Sequence, residues 1–133
     1  MNFMPDIDPS PTVHDPIHHV AHAFEREGEN LWVHCRFEPG AHLPEHFHPP
    51  LEERGEVLEG TLKLKLDGDW RWLTVEDGPV CVAPEVRHEV RNAIGWPVRT
   101  RAKVLPAGQL EVFLTDSSQA ARDGVFILAR FAQ

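Results

Sequence analysis

From Leu31 to Leu105 the chain is written in short runs that alternate apolar and polar residues, and this period of two is what most limits its fold. Side chains alternate across an extended strand, so Leu31, Val33, Cys35 and Phe37 share one face, and Leu62, Leu64 and Leu66 share another. Val98, Thr100, Ala102 and Val104 likewise lie opposite Arg99, Arg101 and Lys103. Gly, Pro and Asp separate the runs. Asp67-Gly68-Asp69, just before Trp70-Arg71-Trp72, reads as an Asp-Gly hairpin turn, and Glu59-Gly60 and Asp77-Gly78 read as further reversals. Residues 31–105 are therefore expected to form half-buried antiparallel strands.

The flanks break this pattern. The first 18 residues hold Pro5, Pro9, Pro11 and Pro16 and no usable hydrophobic period, so 1–30 is expected to be an irregular arm with a possible edge strand, able to wrap a partner subunit. In the segment 106–133, Leu110, Phe113 and Leu114 fall at helical spacing and predict one short helix, and Val125 to Leu128 also reads as helix. A length of 133 residues fits one domain.

Charge narrows the partners. Thirteen Lys and Arg against 21 Asp and Glu leave a net charge of -8, which repels phosphate backbones and anionic lipid, so neither nucleic acid nor membrane is expected. Arg99, Arg101 and Lys103 read as a solvated strand face. The apolar stretch from Val125 to Ala129 is far shorter than the roughly 20 residues of a membrane-crossing helix. Cys35 and Cys81 show no Cys-x-x-Cys spacing and the start shows no secretory signal, which reads as buried, reduced thiols in a cytoplasmic protein.

The chemistry lies in four residues. His46 and His48 are two apart, so in an extended segment both imidazoles reach one face while Phe47 points away. Glu53 follows Pro49-Pro50, where the chain can bend and return a carboxylate to the same place, and His88 arrives from a separate strand. Three imidazoles and one carboxylate suit one divalent transition-metal ion such as Fe, Mn, Ni, Zn or Cu. An inward Glu53 without such a partner would be a costly buried charge. The other histidines carry no such pattern. His14, His18, His19 and His22 read as part of a polar, flexible arm, His42 as a residue bordering the site, and His34 as external beside Trp32 and Arg36.

At Gly40, His46, His48, Glu53 and Gly60 the sequence resembles the first motif of the cupin superfamily, and at His88 and Asn92 the end of the second. Glu85 stands where that second motif usually has glycine. The resemblance spans 31–105 and implies an all-β fold: an antiparallel β-barrel, the double-stranded β-helix or jelly roll, with the metal inside its wider end and the short helix following it. It also implies pairing into a homodimer.

Three activities fit such a site. The leading expectation is a mononuclear, dioxygenase-like metal oxygenase acting on a small organic molecule. A metal-dependent isomerase, lyase or cyclase is the alternative, although a chain with no tyrosine must move protons with a histidine, a carboxylate or metal-bound water. A non-catalytic metal or small-ligand binding protein is the third. It would lack both a Cys-rich zinc unit and, before residue 30, room for a DNA-binding domain. Trp32, Trp70, Trp72, Trp96 and Phe47 are expected to serve the core, a pocket or an interface.

Overall fold

The computed structural model describes residues 12–46, 52–106 and 110–122. Ten strands carry most of them: β1 Val13–Asp15, β2 Val20–Glu27, β3 Asn30–Phe37, β4 His42–His46, β5 Glu52–Glu59, β6 Thr61–Leu66, β7 Asp69–Thr74, β8 Val80–Val82, β9 His88–Arg91 and β10 Val98–Leu105. A short helical turn at Val75–Asp77 and one helix, α1 at Leu110–Arg122, complete the order. The strands form two antiparallel sheets, one of six in the order β1-β2-β3-β10-β5-β8 and one of four in the order β4-β9-β6-β7. Among the described residues the hydrogen-bonded ladders remain two sheets and do not close into the single barrel expected from the resemblance.

Alternation decides which face of each sheet is apolar. Val20, Phe37, Val57 and Val98 from the larger sheet pack with Leu62, Leu64 and Leu73 from the smaller one. At the other end of the large sheet, Leu31, Val33 and Val104 are covered by Leu110 and Leu114, one helical turn apart on α1. The inward Leu31-Val33-Cys35-Phe37 run and the single helix are thus both observed. The second helix expected over residues 125–128 lies outside the described residues.

Within residues 1–30, expected as an irregular arm with a possible edge strand, β1 and β2 extend the edge of the large sheet. β2 pairs with β3 from Val20↔Phe37 to Glu27↔Asn30, and β1 pairs with β2 through Val13↔His22. Polar residues at His22 and His18 interrupt the apolar run without interrupting the alternation, since both are buried.

Turn chemistry accounts for two reversals. Leu66 pairs with Asp69, leaving Asp67 and Gly68 as the loop, both with positive φ (49° and 92°), the pairing that a tight hairpin between right-twisted strands requires. Gly60, at φ 90°, joins β5 to β6, and a Cβ there would stand 3.0 Å from Val98 Cγ2, so both conformation and space demand glycine.

Glu85 is a third case, where a residue other than glycine carries φ 68°. Left-handed backbone costs an L-residue about 1–2 kcal/mol, partly offset by the greater entropy glycine loses on folding. Glu85→Gly is therefore expected to stabilise the protein by roughly 0.5–1 kcal/mol. A denaturation midpoint that stays put or falls would contradict this.

Candidate metal centre and cavity

Glu53 sits on the inward face of β5, opposite Val104 of β10 on one side and Val82 of β8 on the other. His88 opens β9 in the facing sheet. Their side chains meet, with Glu53 Oε1 3.7 Å from His88 Nε2. His88 is 4% exposed, and its Nδ1 lies 3.1 Å from the Val86 carbonyl oxygen. A carbonyl only accepts, so Nδ1 donates to it, and Nε2 is the ring nitrogen left turned toward the carboxylate. A carbonyl-anchored imidazole beside a carboxylate is a donor set that fits a borderline divalent ion.

The β4–β9 ladder places His46 directly across from His88, at the same level of the sheet. His48 lies outside the described residues. Of the four expected ligands, Glu53 and His88 are thus brought together by their side chains, and His46 is placed by backbone register. Among the described residues no third His, Cys, Asp or Glu completes a metal-holding cluster with them.

Between the sheets lies a cavity of about 130 Å³, lined by Glu53 and His88 and by apolar side chains that include Val33, Leu64, Val82 and Val90. Two further wall residues, His22 and Cys35, are 3.4 Å apart from Nδ1 to Sγ. Burial pulls the imidazole of His22 down to about 4, against a weaker pull upward from Asp15. Burial likewise pushes the Cys35 thiol up to about 12, with the Glu53 charge adding to it. Both groups are uncharged near neutral pH.

Several expected placements are corrected. His18 and His22 are not parts of a polar arm, because His18 Nδ1 lies 2.5 Å from Asp15 Oδ2 in a buried pair and His22 is 3% exposed. The Asp15 carboxylate also accepts from the backbone N–H groups of Ile17 and His18, which fixes the turn between β1 and β2. His34 is not external. It is buried, neither ring nitrogen has a hydrogen-bond partner among the described residues, and Glu25 Oε1 stands 3.6 Å from Nε2. Burial lowers its pKa.

His42 bonds Glu89, Nε2 to Oε2, at 2.5 Å. Burial alone would raise the Glu89 carboxyl, but His42 and Arg91 hold it below the usual carboxylate range. On β10 the expected basic face is neutralised in pairs, Arg99 with Glu59, Arg101 with Glu56 and Lys103 with Glu27. Trp70, Trp72 and Trp96 are exposed rather than core residues, and none of the four tryptophans lines the cavity. Lys63 Nζ lies 5.6 and 5.4 Å from the Trp70 and Trp72 ring centres.

Cys81 is exposed, not buried, while Cys35 keeps its raised pKa in the cavity wall. Thiolate is the reactive form, so a small alkylating reagent at neutral pH is expected to modify Cys81 quickly and Cys35 at least about tenfold more slowly. Two equally fast thiols by mass spectrometry would overturn that assignment.

A family model described as the cupin domain matches residues 33–100, which spans both the carboxylate and the buried histidine. This chain belongs to the cupin family. Among solved structures, the cupin is similar to an RmlC-like cupin from Shewanella frigidimarina, with TM-score 0.67 and 20% identity over 84% of this chain and 96% of that one. It is also similar to KdgF from a Halomonas species, with TM-score 0.65 and 16% identity over 78% and 94%. Both likenesses speak for the fold. A stretch of 54 residues is 39% identical to the polyketide synthase CurC of Streptomyces cyaneus, covering 41% of the cupin and 34% of that relative, so the match spans about a third of its length. Among the described residues no helix is long and apolar enough to cross a membrane.

Asn92, which ends the second motif, is a structural residue. Its amide donates to the Phe37 and Trp96 carbonyls at 3.0 and 2.8 Å, and its side-chain oxygen accepts from the Ile94 N–H at 3.0 Å.

Proposed function

We propose that this cupin holds one divalent transition-metal ion on His46, His48, Glu53 and His88 and acts as a mononuclear oxygenase on a small organic molecule. The carrying observation is the Glu53 carboxylate facing the His88 Nε2 at 3.7 Å on the wall of a largely apolar cavity. We also read the two sheets as walls of a jelly-roll barrel and the working unit as a homodimer. Light scattering should then give about twice 15.1 kDa, and a monomer mass would contradict the dimer.

The ion, when bound, supplies Lewis acidity and redox capacity at open coordination positions. The chain's own contributions are distinct. Val86 fixes the tautomer and tilt of His88 through its carbonyl. Glu53 is the anion of the set. Val33, Leu64 and Val82 supply an apolar wall for the substrate to pack against. Because the chain has no tyrosine, a histidine or carboxylate must carry any proton.

Iron-loaded protein is expected to consume oxygen above a free-iron control with at least one member of a panel of diketones, flavonols and thiols. Uptake at background across that panel would remove the oxygenase reading. The likeness to a protein named a polyketide synthase favours a second reading, a cyclase or isomerase acting on a carbonyl-rich chain. That reading gains if a 1,3-dicarbonyl compound is converted without oxygen uptake.

A further inference from the structure

The metal-site reading leaves unused the wall of the cavity formed by the large sheet, where one cross-strand row carries three polar side chains in sequence. Ladder register sets His22 opposite Cys35 and Cys35 opposite Thr100, all on the inward face. His22 Nδ1 lies 3.4 Å from Cys35 Sγ, the Thr100 hydroxyl is within hydrogen-bonding reach of the same thiol, and all three residues line the cavity. Glu53, Glu56 and Arg101 also line this largely apolar cavity, and in such a site a few convergent polar side chains are the groups that fix a ligand's orientation.

We infer that His22 and Cys35 are ligand-positioning residues, receiving the hydroxyl or carbonyl group of a compact, uncharged molecule whose other end approaches Glu53 and His88. Size and charge both enter. A cavity of about 130 Å³ is close to the roughly 150 Å³ that admits benzene, so it fits one six-membered ring or an equivalent short chain. The row offers an imidazole, a thiol and a hydroxyl as hydrogen-bonding groups, Arg101 in the same lining is already paired with Glu56, and the Glu53 carboxylate on that wall disfavours a second anion. A methyl group in place of the hydroxyl leaves the ligand's shape intact and loses only the hydrogen bond.

The inference rests on the metal-site reading for the ligand's second end, and its test separates the two. Phenol, toluene and benzoate are titrated by calorimetry into the purified protein, both metal-loaded and after removal of metal by chelator. Metal content is measured on the same samples. Phenol is expected to bind about five- to tenfold more tightly than toluene in both forms, and benzoate more weakly than either. Cys35→Ser, which keeps a hydrogen-bonding group, should retain the preference. Cys35→Ala and His22→Phe should each reduce it to within about twofold without changing metal content.

Toluene binding as tightly as phenol, no saturable binding of either, or a preference that survives both Cys35→Ala and His22→Phe would overturn the inference. Should His22→Phe fail to fold, Cys35→Ala against Cys35→Ser carries the test alone. Protein that binds no metal yet shows the phenol preference would refute the metal site and keep this assignment. Metal-loaded protein without the preference would do the reverse.

Discussion

Replacing His88 by alanine is expected to weaken divalent-metal binding at least about 100-fold, since changing even the groups that merely orient a ligand costs 10–100-fold. The reasoning starts from the ring's anchoring. With Nδ1 given to the Val86 carbonyl, Nε2 is the only nitrogen that can turn to an ion, and it already faces Glu53 Oε1. The ladder carries His88 between Leu66 of β6 and His46 of β4, so the backbone should stay in place when the imidazole is lost. Glu53→Gln keeps the volume and removes the negative charge, and it should weaken binding by roughly 10-fold or more while the protein stays folded. Chelator competition on variants with unchanged circular dichroism checks both. Equal affinity in His88→Ala would show that His88 does not hold the ion.

Asn92→Ala is expected to cost about 3 kcal/mol of stability. Three hydrogen bonds disappear at once, and the Phe37 and Trp96 carbonyls lose the donor between them. Asn92 is 3% exposed, so water cannot simply take its place. Its backbone also joins two segments, with Asn92 N–H donating to the Ala41 carbonyl and Gly40 N–H donating to its own. Asn92→Asp sharpens the prediction. A carboxylate would still accept from Ile94 but would set a second acceptor against both carbonyls, so it should be no more stable than the alanine variant. Urea unfolding with an unchanged slope and a lower midpoint is the expected result. A midpoint within experimental error of the parent would contradict the structural role, and the same unfolding run on metal-free protein would exclude an effect through the ion.

Much of the strand layout was legible because alternation and burial agree wherever a strand has one wet face. Leu31, Val33 and Phe37 are buried and Arg36 is exposed, as period two requires. Asp67-Gly68 marked its hairpin because only residues tolerant of positive φ make that turn. The N-terminal strands were legible only as a possible edge strand within residues 1–30, for a related reason. In β2 the inward positions are Val20, His22 and Phe24, and a polar residue in the middle of the row hides a period of two that is nonetheless present. The separate period-two row of Val20, His22 and Phe24 was the signal that could have found them.

His34 failed differently. It obeys the alternation and stands on the charged face, yet it shares that face with Trp32, Arg36 and Arg101, whose long side chains can lie across a shorter one. Burial there is a property of the neighbours, and no single-residue pattern reports it. Within the candidate site, Glu53 and His88 could be named from the motif, whereas Cys35 and His22 emerged only with the cross-strand register that sets them opposite one another. Tertiary pairing over 13 positions of sequence carries no local signature.

The most direct test of the central claim is elemental analysis of protein purified without an affinity tag, alongside His88→Ala prepared in the same way. The account predicts about one divalent transition-metal ion per chain in the parent and far less than one in the variant. A parent that holds no stoichiometric metal after exposure to each of iron, manganese, nickel, zinc and copper, or equal metal in both proteins, would contradict it.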